Sequence, residues 1–358
     1  MIALDRAAVR RLRTGVVPQW ELGRLSVGYG RVERVAAAAM DELKSLNSSD
    51  ALFVRGEWGS GKTHLLSFVR AMAVARKFPC TSVDLNARSV ALSHATRFYL
   101  PVVERIQCAE KMGLREILLG LLHTDASRAR LAAFAVSDAA CDLGWPLHDL
   151  CTRFASGDSM GVFDERAWSV LLGADLSWAD YMYKREQALV RIGCLGKMFA
   201  AVGLGGLVVV LDEAETIDQL ANIRSRMSAY GVLGRLCRLQ SVWCLFGITE
   251  RFDAIIHHDL ERGALDYSFA NEDAIWFLRR WKKGEFKTVK PPSLDVAGGR
   301  SLAVSILGLY ATAYPGKYSE ENVLRQCVDE WAKNPSRNPR RLIRVLIHQL
   351  DVDRPLRA

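Results

Sequence analysis

Gly56-Glu57-Trp58-Gly59-Ser60-Gly61-Lys62-Thr63 fills every fixed position of G-x-x-x-x-G-K-[ST]. On its N-terminal side Ala51-Leu-Phe-Val54 is an apolar run too short for a helix, set off by the turn chemistry of Asn47-Ser-Ser-Asp50. On its C-terminal side Leu65, Leu66, Phe68, Val69, Met72 and Ala73 recur at helical spacing over Thr63–Arg76. Strand, glycine-rich loop and helix, in that order, is the context a phosphate-binding loop requires. Glycines let successive backbone N–H groups turn into one concavity, and the helix N-terminus adds positive potential there. Lys62 would reach the β- and γ-phosphates, and the Thr63 hydroxyl would ligate Mg²⁺. The expected cofactors are ATP and Mg²⁺, held by Gly56, Glu57, Trp58, Gly59, Ser60, Gly61, Lys62, Thr63 and His64.

Further along, Cys80–Leu85 is a second strand candidate containing Asp84, and Leu207-Val-Val-Val-Leu211 has the unbroken aliphatic character of a strand inside a parallel sheet. Val242–Ile248 is another. Strands separated by helical segments mean βαβ units and a parallel sheet. Leu211 runs into Asp212-Glu213, the Walker B form. Ligands bind at the carboxyl ends of such strands. There Asp212 would hold the metal through water, and Glu213 would orient the attacking water. Taken alone, two carboxylates can equally open a helix, where the dipole favours them, and Glu215 fits the first helical turn better than the site. A phosphotransferase acting on a metabolite needs no such glutamate, so the second carboxylate favours hydrolysis.

Val242–Ile248 continues into Thr249-Glu250-Arg251. A polar group at this strand tip would stand near the γ-phosphate, the sensor-1 position of AAA+-type ATPases. Thr249 is the candidate, with Glu250 as a weaker one, and helix capping is the ordinary alternative for threonine. Asn338-Pro339-Arg340-Arg341 opens the last helix, with proline well placed at its start. Arg340, or less well Arg341, could report hydrolysis as a sensor 2. Arg337, Arg341, Arg344 and His348 share another face, which also fits a solvated basic surface. Arg262, Arg279 and Arg280 are alternative arginine fingers, and His257-His258 has no partner at metal spacing.

The composition is ordinary for a folded protein: of 358 residues, 50% are hydrophobic and 25% charged. Its net charge of +8 is unevenly spread: residues 279–358 hold sixteen Lys/Arg and eight Asp/Glu, whereas residues 1–278 balance at 32 of each. Phe277-Leu-Arg-Arg-Trp-Lys-Lys-Gly-Glu-Phe-Lys287 interleaves cations with aromatics, as nucleic-acid-binding segments do, and is otherwise a solvated turn. The expected DNA contacts are residues 279–290 and 333–344. Eight cysteines without a C-x-x-C or a Cys/His cluster read as buried free thiols. The charged start Met1–Gly15 lacks a secretory apolar core, and the longest apolar stretch, around Val202–Leu211, is too short and glycine-broken to span a membrane. A soluble, cytoplasmic protein without membrane association is expected. Residues 100–200 show helix packing without recognisable chemistry, and Ser301–Tyr314, Glu320–Lys333 and Pro339–Leu350 read as three closing helices.

These motifs together resemble the ATP-binding proteins of BREX bacteriophage-defence systems, the BrxD-like family. The residues that carry the resemblance are Arg6–Pro18, Arg24-Leu25 with Gly28, Phe53–Leu66, Leu211–Glu215, Phe246–Glu250 and Pro339–Arg344. Two departures are Thr63, where many members have serine, and Gly247-Ile248-Thr249, where a Gly-Thr pair is usual. The resemblance implies an AAA+ or initiator-like P-loop ATPase with a helical lid, serving a multi-protein complex that acts on DNA. The expected architecture is α/β: an N-terminal helical segment, residues 1–50, packing on the core; a P-loop NTPase parallel sheet, residues 51–290, with a helical insertion at about 100–205; and an all-α lid, residues 291–358. Catalysis would fall to Glu213, Lys62, Thr249 and Arg340, with Thr63 and Asp212 at the metal. Partners would be other defence-complex proteins and DNA, with homo-oligomers an option. The competing readings are a nucleotide switch gating a protein partner without DNA, and an ATP-binding structural subunit with little turnover.

Overall fold

The computed structural model describes residues 2–46, 50–86, 91–121, 124–138, 152, 181–266, 271–315, 320–334 and 337–353. Cys141 and Cys151 and part of the stretch 100–200 lie outside them. In chain order the helices are α1 (Ile2–Leu12), α2 (Leu22–Leu25), α3 (Gly30–Leu46), α4 (Lys62–Ala75), α5 (Ala95–Glu104), α6 (Leu114–Leu121), α7 (Asp125–Ala135), α8 (Tyr181–Ala201), α9 (Ile223–Leu236), α10 (Glu250–Glu261), α11 (Glu272–Lys282), α12 (Val296–Ala313), α13 (Glu320–Ala332) and α14 (Pro339–Val352). The strands are β1 (Asp50–Arg55), β2 (Cys80–Asp84), β3 (Gln107–Cys108), β4 (Lys111–Met112), β5 (Leu207–Asp212), β6 (Val242–Ile248) and β7 (Lys287–Val289). Two compact units result, one of Met1–Arg34, Arg55–Ala71 and Lys290–Ala358, the other of Val35–Val54 and Met72–Val289.

The second unit is mixed α/β, with one seven-stranded sheet in the order β4-β3-β2-β5-β6-β1-β7. The pairs β2–β5, β5–β6 and β1–β7 are parallel, and the short β3 and β4 add an antiparallel edge. This is consistent with a P-loop-like α/β fold. Every residue of β5 and β6 is buried, as strands of unbroken apolar character require. Phe53 on β1 is the hub of an aromatic cluster, 4.8 Å from Phe246, 5.0 Å from Trp281 and 5.1 Å from Phe286 between ring centroids. Each such pair adds about 1 kcal/mol beyond its buried area. One expectation changes here. The basic stretch read as a turn is largely helix, since α11 runs to Lys282 and Asn271 caps its first turn by accepting from the Ala274 N–H at 2.8 Å. It then continues into β7, whose Lys287 ammonium donates to Asp50 at 2.7 Å.

The first unit is helical. Ala8, Val9 and Leu12 of α1 share a core with Leu302, Ile306 and Tyr310 of α12, Trp331 of α13 and Leu342 and Leu346 of α14. A linear division sets residues 1–50 apart from a lid at 291–358, but α1 packs with the C-terminal helices. Arg13, just beyond α1, clasps Asp351 on α14 through two hydrogen bonds of 2.7 and 2.8 Å, and the Tyr310 hydroxyl donates to the same carboxylate. The expectation that no run is long and apolar enough for a membrane is also corrected. Val296–Ala313 passes on length and a mean hydropathy of 1.2. Its apolar face is taken up by the helices of its own unit.

Candidate nucleotide-binding site

In the first unit the loop Gly56–Gly61 leads into α4, which begins at Lys62. The Ser60 N–H donates to the Glu57 carbonyl at 3.1 Å, closing a turn around Trp58 and Gly59. Gly59 and Gly61 have φ of 79° and 101°, a region that a side chain makes costly. A Cβ on Gly56 would collide with the Ser60 hydroxyl. Lys62 is buried, and its ammonium donates to the Gly56 carbonyl at 2.8 Å and the Glu57 carbonyl at 3.4 Å, so it stays over its own loop. The Ser60 Oγ is buried without a hydrogen-bond partner. A glycine cradle with a buried ammonium and an unsatisfied hydroxyl fits a polyphosphate. Thr63 is exposed at the first turn of α4, and Trp58 is 72% exposed at the loop tip.

The His64 side chain has a different setting. Its Nε2 shares a hydrogen bond of 2.8 Å with the Ser26 hydroxyl, and its ring meets Tyr29 edge-on at 5.3 Å. Burial pushes its pKa down to about 4. Arg340, on the first turn of α14, directs its Nε to the Gly15 carbonyl at 3.4 Å. Arg341 and Arg344 are exposed. Sequence reasoning passed over Asn338, whose side chain lies against Gly59 of the loop.

In the second unit the polar groups stand at the carboxyl edge of the sheet. Asp212, the last residue of β5, is buried, and its Oδ1 accepts the Glu213 N–H at 2.9 Å. Glu213 adopts φ 59° and ψ 37°, the left-handed region, before a 3-10 turn over Ala214–Gln219 that contains Glu215. Glu213 stands at the N-cap position of that turn, and its exposed side chain makes no capping bond. Register sets Asp84 of β2 beside Asp212, a carboxylate whose only sequence signal was its position at the end of a strand. Thr249 follows β6, which lies between β5 and β1. It occupies the N-cap position of α10, but its hydroxyl makes no capping bond and is buried without a partner. The capping alternative is therefore not realised.

Behind these tips, Arg226 of α9 makes a bidentate pair with Asp259 of α10 at 2.8 and 2.7 Å and donates to the Leu220 carbonyl at 3.0 Å. The Tyr230 hydroxyl donates to Asp259 at 2.9 Å. One buried arginine thus ties the end of the turn after Glu213 to the helix after Thr249. Among the described residues no group of three His, Cys, Asp or Glu side chains is arranged to hold a metal alone. Arg238 and Arg280 lie over the Trp276 ring at 5.1 and 5.2 Å, beside Arg279 and Lys283 in a surface cavity of about 570 Å³. The six described cysteines are buried thiols outside any disulfide.

Residues 3–129 match the family model described as BREX system ATP-binding protein BrxC/D. The match supports a BREX ATP-binding protein. The matched segment contains α1, the loop Ser26–Gly30 and all of Gly56–Thr63, and stops before Asp212, Thr249 and Arg340. No curated protein matches the chain.

Proposed function

We propose that this protein hydrolyses ATP as an AAA+-like P-loop ATPase within a BREX-type complex acting on DNA in the cytoplasm. The observation that carries hydrolysis, beyond ATP binding, is the carboxyl edge of the sheet. Asp84, Asp212, Glu213 and Thr249 end three neighbouring strands there, and the Thr249 hydroxyl is left without a protein partner. In this reading the loop N–H groups and Lys62 hold the triphosphate, and Thr63 and Asp212 serve a Mg²⁺ ion carried by its oxygens. The ion would supply charge neutralisation. Glu213 orients and polarises the attacking water, and Thr249 donates toward the phosphate region. Arg340 serves as sensor 2, released from Gly15 when nucleotide is bound.

DNA contact rests on the basic residues 279–290 and 333–344, including Arg279 and Lys282 on the exposed end of α11. A second reading, a switch that gates a protein partner without DNA, has its own support. Part of that charge is already matched, Arg280 and Lys283 by Glu285 and Lys287 by Asp50. An ATPase assay with and without double-stranded DNA, at several salt concentrations, separates the readings, and a sizing measurement with ATP tests for oligomers. Turnover stimulated by DNA and falling steeply with salt is expected. Stimulation only by a protein partner would favour the switch, and ATP binding without turnover would leave a structural subunit.

A further inference from the structure

We infer that Asn338 is a nucleotide-binding residue, donating through its side-chain amide to the phosphate tail at Gly59. The inference rests on reading Gly56–Thr63 as a phosphate loop. Asn338 is the N-cap of α14, and its Oδ1 accepts the Arg340 N–H at 2.9 Å. Its carbonyl accepts the Trp331 indole N–H at 2.9 Å and the Arg341 N–H at 3.1 Å, so the residue is held from two helices. Because Oδ1 must face a donor, the orientation of the carboxamide is fixed, and Nδ2 is the end turned to the loop.

Nδ2 lies 2.6 Å from where a Cβ on Gly59 would stand, with Oδ1 farther off at 3.5 Å. Gly59 is therefore glycine for two reasons: its φ of 79° and the Asn338 amide beside it. Among the described residues Nδ2 has no acceptor, although asparagine carries two donor hydrogens there. A rigid, unspent donor against a glycine cradle is suited to an anionic oxygen. It would give the C-terminal helices of the unit a direct hydrogen bond to the ligand, supplied by a residue remote in sequence from the loop.

Asn338→Asp separates this role from capping. Aspartate caps a helix as well as asparagine does, so folding should be unaffected. It replaces the donor with a negative charge facing the phosphates. ATP titration should show affinity weakened by about 10- to 100-fold, with an unchanged melting temperature and a much smaller loss for AMP. Wild-type ATP affinity in Asn338→Asp would overturn the inference and leave a helix cap. If the aspartate variant fails to fold, Asn338→Ser decides, because serine caps through its hydroxyl without an amide. A tenfold loss of ATP affinity there supports the inference, and none overturns it. Should the wild type itself bind no ATP, or bind it equally after Lys62→Ala, the phosphate-loop reading falls and the inference with it. Loss in Lys62→Ala beside full affinity in Asn338→Asp removes the inference alone.

Discussion

The helical unit presents chemistry mainly through its backbone: a loop of glycines, an ammonium folded over its own carbonyls, and a cap from α14. The sheet unit presents side chains, Asp84, Asp212, Glu213 and Thr249, at the ends of fully or largely buried strands. Backbone geometry of the first kind depends on packing between segments far apart in sequence, since residues 1–34, 55–71 and 290–358 share one unit. Strand-end side chains can be exchanged while the ladder behind them stays intact. Recognition and turnover should therefore fail separately.

The largest expected effect tests that separation. Glu213→Gln should keep ATP affinity and lower turnover by about 10²- to 10⁴-fold, the range of a general base. Lys62→Ala should instead remove measurable binding in calorimetry, with both variants unfolding at the wild-type temperature. Normal turnover in Glu213→Gln, or normal affinity in Lys62→Ala, would break the comparison.

What the sequence made legible follows the same line. The strands around Phe53, Val209 and Leu245 and helix α4 were readable because each carries its own apolar run or period. The glycine loop before α4 was readable because its residues are contiguous. Asn338 was not, because only the packing of α13 and α14 brings it to Gly59. Strands β3, β4 and β7, of two or three residues, are too short to show a period, and β7 exists through its pairing with β1. Asp84 gained meaning only from register with Asp212. Arg226 and Asp259, 33 residues apart, share no sequence pattern, and folding buries them together.

That buried pair offers the next test, confined to the sheet unit. Removing one partner leaves an uncompensated charge, so Asp259→Leu should cost about 3–5 kcal/mol in urea unfolding. Asp259→Leu combined with Arg226→Met should recover most of the loss, because apolar replacement of both partners is often neutral. The double variant also frees the Leu220 carbonyl, so its turnover should stay below wild type after stability returns.

The smallest effect belongs to the helical unit and to pH. The His64 ring stays neutral in the fold down to about pH 4, whereas an exposed histidine takes up its proton near 6.5. Between those values the unfolded chain binds the extra proton, so stability is full above 6.5 and falls as pH drops through the window. At pH 5 the loss should be about 2 kcal/mol. Denaturant curves at pH 7 and pH 5 should show it, and His64→Gln should flatten the slope. An unchanged slope would mean that the ring accepts its proton in the folded state.

The left-handed backbone at Glu213 has a further consequence. A residue with a Cβ held there costs about 1–2 kcal/mol relative to the right-handed form, a penalty glycine escapes. The chain would fold more firmly with glycine at this point, yet a glycine could not play the part proposed for Glu213. On that proposal greater stability and activity pull in opposite directions at position 213, and a screen for thermostable variants of this protein should recover inactive ones there.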